Sequence, residues 1–325
     1  MIRYRKNGTE VAMSYISRKE EAFKKQIIPQ TMEEDFALFW QKEVEEMRKV
    51  PIEIERRELD LPYKTFKVYE IVFNAHDGVK VTGYFCVPGA YNGEKLPCVA
   101  VYHGGGGTFG IRPDFAAINV CSFCIDCRSQ GGKTIDTADY DFMDDYNGGI
   151  MSHGLLDEKG YYMKNIYLDA VRAVDVITML PEVDPERIVA HGTSQGGALT
   201  IVAAALSGKV KKAYPSVPSY SCLERRVENA SGVFKTVNNY LTDHPSQTDR
   251  VMKTLSYFDI NNMVSLLTVP VEFFLGISDP TCLPPFVYSP YAHTKAPKRI
   301  VISPFTGHYV SLEYKFELLR EIGAM

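Results

Sequence analysis

The segment IVAHGTSQGGALTIVAAAL, residues 188–206, places Ser194 on a turn of small residues between two apolar runs. Gly192 to Gly196 (GTSQG) fits the G-x-S-x-G pattern of a nucleophile elbow, a strained turn that exposes the serine oxygen at the start of a helix. Chance supplies about 0.1 such matches in a chain of this composition, so the pattern is weak until its setting is read. Here a strand-like run precedes it and an alanine-rich, helix-like run follows, as an elbow requires. A serine hydroxyl becomes a useful nucleophile only beside a base, and the base needs an orienting acid. On folds with this elbow the acid and then the histidine follow the serine in the chain.

Three histidines follow Ser194. His244 lies in the polar stretch NNYLTDHPSQTDR, and His293 precedes the last strand, which puts it at the wrong edge of a sheet. His308 closes PFTGH, just after the apolar run RIVI, and is the predicted base. Asp279 ends VEFFLGISD and is the predicted acid, with room for one helix and one strand before His308. Its rivals Asp249 and Asp259 fall in a helical stretch. A tetrahedral intermediate also needs donors for its negative oxygen. The backbone N–H of Gln195 is one, and Gly105 in YHGGGG is the predicted second. No Gly-Lys-Ser/Thr follows those glycines, which removes a P-loop. His103, which opens the loop, reads as structural.

These residues can meet only if the right elements carry them. KTFKVYEIVFNAHDGVKVTGYFCVPGAY alternates apolar and polar positions around a His-Asp-Gly turn, a hairpin pattern. KLPCVAVY, INVCSFCIDC, RIVAHG, VPVEFFLG and KRIVI read as buried strands, and YYMKNIYLDAVRAVDVITML carries Ile166, Ala170, Val174 and Ile177 at helical spacing. Strands alternating with helices imply an α/β fold, a mostly parallel, doubly wound sheet covered on both faces. One domain over residues 1–325 is expected. Residues 1–62 read as an N-terminal helical arm, with Thr31 and Glu34 as a capping box. Phe36, Phe39, Trp40, Val44 and Met47 form a docking stripe on that arm. Residues 214–262 read as a helical insertion before the acid strand, a candidate wall of the ligand crevice.

The bulk composition narrows the function. A net charge of −4 without a like-charged block gives no nucleic-acid footprint. The longest apolar run, Ala198–Leu206, is too short for a membrane span. The beginning MIRYRKNGTEVAM has no apolar signal region, and seven cysteines, an odd number, do not suggest a disulfide framework. A cytoplasmic protein is expected. Cys121, Cys124 and Cys127 (CSFCIDC) sit in an apolar run with no second Cys/His pair at ligand spacing, so neither metal nor cofactor is expected.

The elbow, together with LPCVAVYHGG, DCRSQGG, the continuous stretch from GLLDEKGYY to GTSQGGALT, KTLSYFDINN, and LGISDPTCLPP through Gly307-His308, resembles the acetyl xylan esterase and cephalosporin-C deacetylase family, carbohydrate esterase family seven. The resemblance covers most of the chain, including the arm. It implies an α/β-hydrolase that removes acetyl groups from short xylo-oligosaccharides and related small esters, cephalosporin C among them. It also implies no metal and a ring-like homo-oligomer, often a hexamer. The family's Arg-Gly-Gln motif stands here as Arg128-Ser129-Gln130, and its His-Glu as His308-Tyr309. If the family's arginine and glutamate support each other, Arg128 lacks a partner here and Tyr309 alters packing beside the base; with Gln130 these residues are expected to support the site. A peptidase or another short-chain carboxylesterase on the same fold, and a non-catalytic binding protein, are the alternatives.

Overall fold

The computed structural model describes residues 3–6, 9–12, 14–107, 110–140 and 149–325; residues 1, 2, 7, 8 and 13 of the arm lie outside the described residues. Nine strands form one sheet: β3 (Ile54–Glu58), β4 (Phe66–Asn74), β5 (Lys80–Pro88), β6 (Leu96–Tyr102), β7 (Cys121–Ile125), β8 (Val183–Thr193), β9 (Lys212–Ser216), β10 (Val271–Gly276) and β11 (Lys298–Ser303). Their order is β11-β10-β9-β8-β6-β7-β5-β4-β3. The six from β11 to β7 are parallel, and β5, β4 and β3 extend the sheet antiparallel. In β6, Cys98, Ala100 and Tyr102 face one apolar layer while Val99 and Val101 face the other. Both faces are buried, which is why central strands read as unbroken apolar runs. Edge strand β11 is only half-buried along its apolar residues.

Helices cover the two faces. On one lie α2 (Phe36–Lys49), α4 (Tyr162–Ile177) and α5 (Gln195–Leu206); on the other lie α3 (Pro113–Ala116) and α11 (Leu312–Gly323). Helix α5 is apolar all round and almost wholly buried, as a helix pinned between sheet and neighbouring helices must be. The stripe Phe36, Phe39, Trp40, Val44 and Met47 is buried. The Trp40 indole stacks on Tyr167 and donates to the Tyr257 carbonyl at 2.9 Å, which docks the arm onto the body.

Three sequence expectations change. The arm is not wholly helical: besides α1 (Tyr15–Lys24) and α2 it holds a hairpin of β1 (Arg3–Lys6) and β2 (Thr9–Ala12), and its end is edge strand β3. Charged residues hide that strand, because Arg56 lies over the Tyr69 ring at 3.8 Å and pairs with Glu182 rather than facing water. Thr31 and Glu34 form no capping box. Helix α2 begins at Phe36 with Asp35 as its N-cap residue, and the Thr31 N–H donates to Asn262 Oδ1 instead. Finally, the insertion does not start at Tyr214. Residues Lys212–Ser216 are strand β9, a five-residue stretch whose lysine and proline mask its strand character. The inserted part therefore follows Ser216 and carries α6 (Leu223–Glu228), α7 (Lys235–Asp243), α8 (Thr248–Ser256) and α9 (Ile260–Met263). One more helix, α10 (Pro284–His293), joins β10 to β11.

Candidate active site

Ser194 sits between β8 and α5 with φ 61° and ψ −121°, a backbone conformation that non-glycine residues rarely adopt. Neighbouring chains hold it there. The Ser194 N–H donates to Ser216 O at the end of β9, and Ser194 O accepts from the Ser219 N–H, both at 3.0 Å. The turn also needs bare backbone beside it. A Cβ on Gly192 would strike the Gly196 carbonyl, and one on Gly196 would strike the carbonyl of Tyr102 at the end of β6. The elbow glycines thus let strand, turn and helix meet at backbone distance.

Asp279 lies just past β10 and His308 just past β11, adjacent parallel strands whose carboxyl ends lie side by side. His308 Nδ1 is 2.8 Å from Asp279 Oδ2, and Asp279 Oδ1 accepts the N–H groups of Thr281 and Cys282 at 2.8 and 2.9 Å. The carboxylate is fully buried and the imidazole partly open to solvent. The hydrogen bond to Asp279, helped by Cys282, holds the imidazole above its ordinary range, to about 10. Ser194, His308, Gln195 and Gly105 line one cavity of about 640 Å³. The Gln195 N–H is the first of α5, where helix geometry leaves donors without intrahelical partners.

Behind Ser194 lies a buried amide network. The Gln195 and Gln130 side chains donate to each other at 2.8 and 2.9 Å. Tyr220 donates to Gln195 Oε1, Gln130 Nε2 reaches Tyr162 Oη at 3.1 Å, and Tyr162 donates to the Arg128 carbonyl at 2.7 Å. The N–H of Gly106 points to Gln130 Oε1 at 3.4 Å. On the same loop, His103 Nδ1 meets Gly104 O at 2.7 Å while Nε2 accepts the Cys127 N–H at 2.9 Å. His103 and Gln130 together tie the glycine loop to the end of β7.

The described chain thus brings a strained serine, a histidine–aspartate pair and a glycine loop to one cavity. The profile of the acetyl xylan esterase (AXE1) family matches residues 16–320. The chain belongs to this family. It is 27% identical over 299 residues to acetyl esterase Axe7A of Xylanibacter ruminicola, a match over 87% of the chain and 65% of that protein. The chain therefore spans just under two thirds of that relative. An acetyl xylan esterase from a Paenibacillus species superposes with a TM-score of 0.87 at 32% identity, over 94% of this chain and 98% of the other. Acetyl xylan esterase 1 from a Thermoanaerobacterium species gives 0.86 at 23% identity over the same shares, a likeness of fold.

In this acetyl xylan esterase family member, Arg128 does not lack a partner. It is fully buried, chelates Asp169 at 2.6 and 2.9 Å, chelates Asp77, and reaches Asp136 at 3.4 Å. Burial works against its charge, yet Asp169 and Asp77 hold its pKa above the ordinary value. Tyr309 is 58% exposed and lies beside Gly307, so it does not replace an arginine partner.

The rival residues have other duties. His244 meets the Tyr240 carbonyl at 3.0 Å, and His293 meets the Ile28 carbonyl at 2.8 Å. Asp249 is in the first turn of α8. Asp259 caps α9 and accepts the N–H groups of Cys222, Leu223 and Asn261. Cys121 and Cys127 face one core layer and Cys124 the other, so the three sulfurs do not converge. Among the described residues, the one group of three potential metal-binding side chains is Asp279, Cys282 and His308. Two of its members, His308 and Asp279, already hydrogen-bond to each other. Tyr220, Arg226 and Phe234 of the cavity wall lie within residues 214–262, the stretch expected to wall the crevice, although no sequence signal singled out these three side chains. No described helix is long and apolar enough to cross a membrane.

Proposed function

We propose that the protein is a serine carboxylic ester hydrolase that removes acetyl groups from small carbohydrate esters such as acetylated xylo-oligosaccharides. The observation that carries this reading is the 2.8 Å His308–Asp279 pair, which shares a cavity with a serine held at φ 61°. Ser194 Oγ attacks the acetyl carbonyl as His308 Nε2 takes its proton, and Asp279 holds the Nδ1–H and stabilises the imidazolium. The N–H groups of Gln195 and Gly105 receive the negative oxygen. The proton passes to the leaving sugar oxygen, and the carbonyl reforms as an acetyl ester of Ser194. Water, deprotonated by His308, attacks that ester; acetate leaves and Ser194 regains its proton. Gln130 supports this by fixing Gln195 and the glycine loop, and Arg128 fixes the backbone that carries Gln130. Cephalosporin C as a further ester and a homo-oligomeric ring belong to the same proposal and rest on the family motifs, while a cytoplasmic location is proposed from the seven unpaired cysteines.

The substrate panel that tests it runs p-nitrophenyl esters from acetate to octanoate beside acetylated xylose, cephalosporin C and a peptide p-nitroanilide. Acetate and acetylated xylose are expected to lead, with kcat/KM falling at least about tenfold by octanoate. Preference for octanoate, or for the anilide, would overturn the proposal.

The pH profile gives a second check. The base works only when neutral, so kcat/KM falls as pH drops through the His308 pKa. Because Asp279 raises that pKa, the acid limb is expected on the alkaline side of the ordinary value of 6.5. In Asp279→Asn the limb moves back toward 6.5 and the rate falls about 10³–10⁴-fold. A limb that stays in place in the variant would sink the assigned pairing. The same raised pKa stabilises the fold in full below 6.5, and that contribution is lost as pH rises through about 10.

A further inference from the structure

One buried group in the cavity wall has hydrogen-bonding capacity that the proposed reaction does not use. Arg226, on α6, is 3% exposed and lines the same cavity as Ser194 and His308. Its position is fixed from three sides. Nε donates to Ser221 O at 2.8 Å, Nη1 reaches Thr281 O at 3.4 Å, and the guanidinium lies 5.0 Å from the Phe286 ring centroid. A guanidinium has five N–H groups. Those contacts take two, and Nη2 has no hydrogen-bond partner. Among the described residues no carboxylate lies within ion-pair distance of it. Arg225, one residue earlier, behaves oppositely: it is exposed and pairs with Glu228 at 2.7 Å.

The buried Asp259 carboxyl feels the Arg226 charge without pairing with it directly, and a buried N–H left unpaired is unfavourable, so the cavity beside it lets an acceptor on a ligand complete the pairing. Arg226 is the only lysine or arginine lining the cavity among the described residues, which matches one negative charge rather than a doubly charged group. The planar edge left by Nη1 and Nη2 suits a carboxylate. We propose that Arg226 pairs with a carboxylate on the substrate, so that the cavity selects acetyl esters of sugar acids over those of neutral sugars. This rests on the esterase reading above.

The test compares acetylated methyl glucuronoside with acetylated methyl glucoside, which differ by a carboxylate against a hydroxymethyl group. The unmodified protein is expected to favour the acidic ester at least about tenfold in kcat/KM, chiefly through KM. R226Q is expected to lose at least about tenfold more on the acidic ester than on the neutral one, and R226K to recover part of the preference. Equal losses on both esters would make Arg226 structural and overturn the proposal. Competition on the unmodified protein decides even if both variants fail to fold. Methyl glucuronoside should inhibit p-nitrophenyl acetate hydrolysis and methyl glucoside should not. Equal inhibition by the two, or stronger inhibition by methyl glucoside 6-phosphate, overturns the carboxylate assignment. Turnover of p-nitrophenyl acetate without acidic preference removes the Arg226 proposal alone, whereas no turnover of any ester removes the esterase reading itself.

Discussion

Ser194→Ala lowers kcat/KM for p-nitrophenyl acetate about 10⁵-fold and leaves a residue of activity above the uncatalysed rate. The loss is large because the acyl-enzyme can no longer form. The residue survives because Gln195 and Gly105 still offer N–H groups to a carbonyl attacked by water. Folding should hardly change. Alanine keeps the Cβ of serine, and the contacts that fix residue 194 are the backbone bonds to Ser216 and Ser219. Steady-state rates and a denaturant melt on the same preparation check both halves. An active variant, or one that fails to react yet is also unfolded, would remove the support this residue gives to the mechanism.

Arg128→Met costs about 3–5 kcal/mol of stability, the largest loss expected from a single side chain away from Ser194. The reason is what stays behind. Asp169, Asp77 and Asp136 converge on one guanidinium, and Asp169 is already pushed above its usual pKa by burial despite that cation. Without the arginine Asp169 rises further and Asp77 loses the partner that holds it below its usual value, so the folded chain takes up protons that the unfolded chain does not. A raised acid destabilises most where the unfolded state is ionised. The deficit is therefore expected to be greatest at neutral pH and to shrink toward about pH 4, as urea melts across that range would show. Activity falls too, since the Arg128 carbonyl anchors Tyr162 and, through it, Gln130. A pH-independent deficit would contradict this account.

The sites legible in sequence are those whose signal is local. An elbow is five consecutive residues, and Asp279 and His308 each follow an apolar strand directly, so spacing alone locates them. What sequence hides depends on partners far along the chain. Asp77, Asp136 and Asp169 lie on three separate segments, and nothing near Arg128 announces that they meet there. Arg225 and Arg226 are adjacent identical residues, one exposed and one buried, and only the packing of α6 against Phe286 separates them. Strand β9 escaped because a short central strand can carry a lysine and a proline when its neighbours supply the pairing. The capping box failed because a tertiary bond from Asn262 took the Thr31 N–H that a helix start would have used.

All seven cysteines are buried and none is in a disulfide. Burial raises the pKa of six of them, Cys86, Cys98, Cys121, Cys124, Cys127 and Cys222, so thiolate is scarce as well as hidden. For labelling chemistry the folded chain is therefore nearly blank. A single cysteine introduced at an exposed position such as Met179 would carry a maleimide dye or a tether to a surface, with every native cysteine left in place.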